Sequence, residues 1–211
     1  MFQLLRAVVN CFFALILLFS NALKAQHLDI DLLKAINPQH PNSAFWKATT
    51  DSYVIVAATA SMGSLAYAFI SDDQALKYKS YELLLGIGIT VVATEGLKRI
   101  VDRARPYETY PNDINVIRLS RGQSFPSGHT SLAFATATSL TLTHRKWYVA
   151  VPAFLYAGGM GYSRMYLGKH YPTDVLGGAI VGAGSSLLSH WLTKKLFPSA
   201  NTPLPSTPPA L

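Results

Sequence analysis

Tyr53–Ile70 reads YVIVAATASMGSLAYAFI, a run without a charged residue and long enough for at least four helical turns. Its apolar side chains surround the whole circumference instead of forming one stripe, as in helices that are buried or that cross a bilayer. Small residues break it at Ala57-Ala58-Thr59-Ala60-Ser61 and Gly63-Ser64, spacings that let a second helix come close. Four more blocks share this character: Tyr81–Leu97, Thr130–Thr143, Trp147–Tyr162 and Val175–Leu192, the last carrying Gly177-Gly178, Gly182 and Gly184. No alternating strand pattern of useful length occurs. The expected fold is all-α: a transmembrane helical bundle with about five core helices after an N-terminal signal or anchor segment.

The chain has 211 residues, half of them hydrophobic and 14% charged. That composition excludes an intrinsically disordered chain and a highly charged helical rod. The net charge of +7 suits anionic partners: phosphate groups, acidic lipid headgroups or nucleic acid. The cations gather at loop ends beside apolar blocks and form no stripe along a polar helix, so nucleic acid is not an expected partner. Cys11 is the only cysteine, which rules out an intrachain disulfide and a cysteine-based metal site. Residues 1–25, with Arg6 ahead of a short apolar core and small residues after it, have the form of a secretory signal or an uncleaved anchor. Residues 26–197 are expected to form one helical domain, and residues 198–211 a Pro-rich disordered tail.

The polar breaks predict a topology. Lys77 and Lys79, Arg145 and Lys146, and Lys194 and Lys195 all fall on the side of Arg6 when crossings are counted. Under the positive-inside rule that side is the cytoplasm. The loops Lys98–Gly128 and Ser163–Asp174 then face the periplasm or cell exterior. They are also basic, and their cations have a chemical use.

The long loop opens with Lys98-Arg99-Ile100-Val101-Asp102-Arg103-Ala104-Arg105-Pro106 and closes with Pro126-Ser127-Gly128-His129. The shorter loop begins Ser163-Arg164 and reaches His170 and Asp174. Lys98, Arg105 and Arg164 are three cations able to surround a tetrahedral oxyanion. Ser127 stands where a helix begins and reads as its N-cap, with backbone N–H groups facing an anion. Gly128 lets the backbone approach that anion without a Cβ. Asp174, four residues after His170, is placed to accept its Nδ1–H and leave Nε2 as a nucleophile. His129 is then available to protonate a leaving oxygen and later activate water. The set fits a phosphohistidine intermediate. The loops hold no Asp/Glu cluster suited to a metal, so a metal-free mechanism without cofactor is expected.

These elements resemble the type 2 phosphatidic acid phosphatase family, whose pattern is Lys-x6-Arg-Pro, Pro-Ser-Gly-His and Ser-Arg-x5-His-x3-Asp. Every fixed position is matched in order, across Lys98–Asp174. The resemblance implies a helical bundle with a phosphate site built from two loops and the adjoining helix ends. It implies phosphate binding by Lys98, Arg105 and Arg164 with help from Ser127 and Gly128. It makes His129 the general acid and His170 the nucleophile, oriented by Asp174. The family includes membrane lipid phosphatases, soluble acid phosphatases and vanadium haloperoxidases. The expected substrate is a phosphorylated lipid: undecaprenyl diphosphate, phosphatidylglycerol phosphate, phosphatidic acid or lipid A. The alternative is a secreted soluble acid phosphatase with the same site, favoured by the Ser/Thr-rich third block and a moderate mean hydropathy of +0.23. Oligomeric state is not readable from the sequence.

Outside the motifs, Arg99 and Arg103 read as solvent- or lipid-facing cations and Asp102 as a local ion partner of Lys98. Glu95 lies on the face of Lys98 and reads equally as its support or as a shielded intramembrane charge. Tyr107, Tyr110, Tyr162, Tyr166 and Tyr171 suggest an acyl entrance or an aromatic belt. His27, His40, His144 and His190 have no acidic partner at a suggestive spacing. Arg118 and Arg121 read as solvated loop cations.

Overall fold

The computed structural model describes residues 27–196; the expected leader (residues 1–25) and tail (residues 198–211) lie outside the described residues. Its helices are α1 (residues 27–36), α2 (Ala44–Asp51), α3 (Tyr53–Ile70), α4 (Gln74–Val101), α5 (Pro106–Thr109), α6 (Gly128–His144), α7 (Trp147–Tyr166) and α8 (Pro172–Leu196). Among the described residues there is no strand.

The five long helices cover the five apolar blocks, and α3 begins and ends with its block. The others run past theirs because polar residues close their ends. The Asp73 carboxylate accepts the Leu76 N–H at 2.9 Å at the start of α4. Pro172 takes the first position of α8, where its missing N–H costs nothing. Asp102 and Arg145 end α4 and α6 in the left-handed region, with φ of 45° and 50°.

Helix α6 occupies the centre, packed on α4, α7 and α8. Its buried residues are small: Ala133, Ala135, Thr136, Ala137, Thr138 and Ser139. Gly182 of α8 crosses it so closely that a Cβ there would overlap the Ser131 carbonyl. Hydroxyls on this seam are largely consumed internally. Thr136 and Thr141 donate to the carbonyls one turn back, Ser139 donates to Ser186, and Ser186 donates to the Ala135 carbonyl at 2.8 Å. The Ser/Thr-rich third block is therefore an interhelical seam, not a wet surface.

Large apolar side chains point outward instead. Ile55, Val92, Leu155 and Ile180 are each more than 60% exposed. A seam of small residues beneath many exposed large apolar side chains is the reverse of a water-soluble helical protein and suits a lipid surround. Helices α3 and α8 have the length and hydropathy to cross a bilayer.

Successive long helices alternate in direction. The end of α4, the start of α6, the end of α7 and the start of α8 therefore gather at one end of the bundle. Lys77, Lys79, Arg145, Lys146, Lys194 and Lys195 lie toward the other.

Candidate active site

A cavity of about 330 Å³ opens where these helix ends meet, lined by Lys98, Arg105, Gly128, His129, Arg164 and His170. Three stretches far apart in sequence thus share one wall. Ser127 and Asp174 stand a layer behind it, both fully buried. Val91 and Leu132 give the cavity an apolar flank, and Tyr53 and Glu95 complete it on the side of α3 and α4.

Each cation is held by a different device. Lys98, in the last turn of α4, donates to the Gln123 carbonyl at 2.9 Å. Arg105 caps α5, its own N–H taken by the Glu108 carboxylate at 2.9 Å and Pro106 following at the first helical position. Its guanidinium donates to the carbonyls of Gly122 (2.9 Å), Lys169 (2.9 Å) and Arg121 (3.2 Å). These bonds fix the plane of the fork. Arg164, near the end of α7, donates from Nη1 to the Thr50 hydroxyl at 2.6 Å, while its Nε is buried without a partner. A buried N–H left unpaired costs free energy that an anion oxygen would restore.

His129 opens α6 and stacks on the Tyr53 ring, with centroids 3.8 Å apart. Ser127 occupies the N-cap position, yet its hydroxyl accepts from Thr130 Oγ1 at 2.9 Å and closes no backbone N–H. The first turn of α6 is left without a cap from its own Ser127 side chain, as an anion site at a helix N-terminus requires.

His170 sits in the turn between α7 and α8. Arg105 Nη1 lies 3.3 Å from its Nε2. A guanidinium only donates, so Nε2 is the acceptor and the ring proton belongs on Nδ1. Nδ1 faces Asp174 Oδ2 at 3.5 Å, a long contact, and no other group satisfies it. Burial pushes the His170 imidazolium down to about 3, with Asp174 opposing and Arg164 reinforcing the shift. The ring is neutral at ordinary pH. Burial and then the charges of Arg164, Arg118 and Arg105 bring the neighbouring Lys169 down to about 8.

The Asp174 carboxylate is held on both oxygens. Oδ2 accepts the Tyr171 N–H at 2.9 Å and the Ser124 hydroxyl, and Oδ1 accepts Arg103 Nη1 at 2.7 Å. Arg103 is therefore neither lipid- nor solvent-facing, because a buried carboxylate oxygen holds it inward. Asp102 accepts from Gln123 at 3.1 Å and does not pair with Lys98. Glu95 lines the cavity beside Lys98. Tyr107 and Tyr171 are buried with Ile30, Leu33 and Ile114, and Tyr162 and Tyr166 pack against Trp46. Tyr107 and Tyr171 therefore belong to the site's foundations, while Tyr162 stays partly exposed beside Trp46. His190 has a partner after all: Glu82 of α4 lies 2.8 Å from its Nδ1, a pairing across 108 residues that no local spacing reveals.

Sequence reasoning missed the residues that hold the site from the N-terminal side. Thr50 fixes Arg164, and Tyr53 supports His129. Asn37 clamps the long loop to α7, donating to the carbonyls of Asn115 (3.0 Å) and Tyr166 (2.8 Å) and accepting the Asn115 N–H (2.7 Å). Among the described residues no group of three His, Cys, Asp or Glu side chains is placed to hold a metal ion.

The chain is 39% identical over 94 residues to the bacitracin transport permease protein BcrC of Bacillus licheniformis, covering 44% of each protein. It is 28% identical to the lipid A 4'-phosphatase of Bacteroides thetaiotaomicron over 84% of this chain and 83% of that one. The chain thus spans under half the length of the first relative and most of the second. The crystal structure of the first transmembrane PAP2 type phosphatidylglycerolphosphate phosphatase from Bacillus subtilis superposes with a TM-score of 0.64. It covers 87% of this chain and 94% of the other at 24% identity, a likeness of fold. Residues 80–198 match the model of the PAP2 superfamily, more than half of the sequence and the whole of the three-part cavity wall, and the chain belongs to that superfamily.

Proposed function

We propose that this protein is a lipid phosphatase that cleaves a phosphomonoester or diphosphate through a phosphohistidine at His170. The observation that carries this is the convergence of three cations, two imidazoles and an uncapped helix start on one cavity with an apolar flank. The cations and the N–H groups of α6 hold the phosphoryl oxygens. The Nε2 lone pair of His170 attacks the terminal phosphorus in line, a P–N bond forms, and the bond to the leaving oxygen breaks, that of the lipid alcohol in a monoester or of the lipid monophosphate in a diphosphate. His129 gives that oxygen its proton. The bound phosphate dianion offsets the surrounding cations, which lets His129 carry a proton when substrate is present. Asp174 stabilises the positive charge on the phosphorylated ring. Water then attacks phosphorus, His129 takes its proton, the P–N bond breaks and orthophosphate leaves.

The membrane is the proposed setting, because the exposed apolar exterior of α3, α4, α7 and α8 suits lipid better than water. The basic opposite end of the bundle supports a cytoplasmic location for that end and a periplasmic or exterior one for the cavity. The apolar flank of Val91 and Leu132 fits a substrate with a hydrocarbon tail. The lipid A 4'-phosphatase likeness puts lipid A first in a substrate panel, followed by undecaprenyl diphosphate, phosphatidylglycerol phosphate and phosphatidic acid. The test is phosphate release from each lipid in detergent by the wild type and by His170→Ala. Release by the wild type that disappears in the variant supports the reading. Equal release by both removes His170 as nucleophile.

A further inference from the structure

We infer that Asp29 is a positioning residue for phosphoryl transfer, acting through Arg103 to set the orientation and effective charge of Asp174 behind His170. The inference rests on the phosphatase reading above. It concerns a residue of α1, outside the motifs and outside the matched region 80–198.

The contact chain is continuous. Asp29 Oδ2 pairs with Arg103 Nη2 at 2.6 Å, and Arg103 Nη1 pairs with Asp174 Oδ1 at 2.7 Å. Asp174 Oδ2 in turn faces His170 Nδ1. Both carboxylates are buried, Asp29 at 3% and Asp174 at 0% exposure. The guanidinium has little freedom between them: its Nη1 also donates to Thr173 Oγ1 at 2.7 Å, and its plane lies 3.8 Å from the centre of the Tyr171 ring. Asp29 Oδ1 accepts the Thr173 N–H at 2.9 Å, and its Oδ2 accepts the Thr173 hydroxyl. One carboxylate from α1 therefore caps the start of α8 in place of a local N-cap and anchors Arg103 as well.

Charge gives this arrangement a catalytic consequence. Two buried carboxylates share one guanidinium, which leaves one net negative charge beside the His170 ring. Phosphorylation of Nε2 makes that ring cationic, and the residual charge is what it meets. Without the Asp29 charge, Arg103 would neutralise Asp174 alone and the phosphorylated ring would lose its counter-charge. Without Arg103, Asp174 Oδ1 would be buried unpaired and the carboxylate held on Oδ2 alone, by the Tyr171 N–H and the Ser124 hydroxyl. Either change acts on the transition state and leaves the cavity cations in place.

The experiment uses the full chain in detergent with a lipid that the wild type hydrolyses, and inorganic phosphate as a competitive probe of the cavity. Asp29→Asn keeps the side chain's shape and is expected to lower kcat about 10-fold; Arg103→Gln is expected to lower it about 100-fold, the usual range for a supporting residue. Arg103→Lys, with its charge but no fork, should fall between wild type and Arg103→Gln. KM and the phosphate inhibition constant should stay within about threefold of wild type, since the cations remain. Wild-type kcat in Asp29→Asn overturns the inference even if Arg103→Gln does not fold. A parallel loss of kcat and phosphate affinity, or failure of Asp29→Asn to fold, also overturns it, because Asp29 would then serve the fold and not the step. His170→Ala separates the two levels. An active His170→Ala removes His170 as nucleophile and with it the step that Asp29 is inferred to assist, whereas an inactive one beside a normal Asp29→Asn defeats only the brace.

Discussion

The groups that face the cavity and the groups that hold them come from different parts of the chain. Lys98, Arg105, His129, Arg164 and His170 lie between residues 98 and 170, on the ends of α4, α6 and α7, at the cap of α5 and in the turn before α8. Asp29, Asn37, Thr50 and Tyr53 lie between residues 29 and 53, on α1, its following turn, α2 and the start of α3. The first set consists of charged and imidazole side chains, the types that the proposed phosphate binding and attack call for. The second set is chosen by geometry, and common polar residues serve it wherever their backbone happens to reach. An active site is thus more demanding about residue type at its wall and more demanding about position behind it.

The sharpest break of this comparison is Arg164→Ala. It removes a cavity cation that nothing else replaces, and kcat/KM with the lipid substrate is expected to fall roughly 100- to 1,000-fold, as for loss of one oxyanion donor. A fall of only a few-fold would move Arg164 out of the wall. Thr50→Val tests the holding layer against it. The hydroxyl that accepts Arg164 Nη1 disappears while the guanidinium stays, so kcat/KM should drop by about 10-fold, the equivalent of one buried hydrogen bond to a charged group. Thr50→Ser should restore most of it. Failure of Ser to rescue would show that the hydroxyl alone does not hold Arg164.

A smaller effect distinguishes the layers through stability. His170 is held down to about 3 in the folded protein, against 6.5 as its ordinary value. Between those values the unfolded chain takes up a proton that the folded chain refuses, so stability falls as pH drops from 6.5 towards 3 and is untouched by this group above 6.5. His170→Gln should flatten the decline of the unfolding temperature between about pH 6.5 and 4, measured in detergent, while Thr50→Val leaves its slope alone. Parallel slopes for wild type and His170→Gln would mean that the ring titrates freely.

The same contrast explains what was legible in the sequence. Apolar blocks located the five long helices among the described residues because their residues answer to the surrounding medium, a local property of composition. The helix ends were less legible: α4 extends to Gln74 through Asp73 and closes on a left-handed Asp102, features of single residues and not of pattern. The cavity wall was legible because its residue types are rare at such spacings and its sequence separations are carried by three short motifs. Arg103 was misread because its partners, Asp29 and Asp174, lie 74 and 71 residues away. Asp29 and Thr50 offered no signal at all, since a single Asp or Thr on a short helix is compatible with any surface. Ser127 shows the limit from the other side: its position at the start of α6 was right, but its hydroxyl turned to Thr130.

The most direct test of the central claim is capture of the phosphorylated enzyme. His129→Ala should still be phosphorylated by a lipid diphosphate, whose leaving phosphate needs little protonation, but should be slow to activate water. Incubation followed by alkaline quench, to preserve the P–N bond, and mass analysis of peptides should show one phosphate on His170 in His129→Ala. None should appear when His170→Ala is added. Continued phosphate release with no label on His170, or a label on any other residue, would contradict the account.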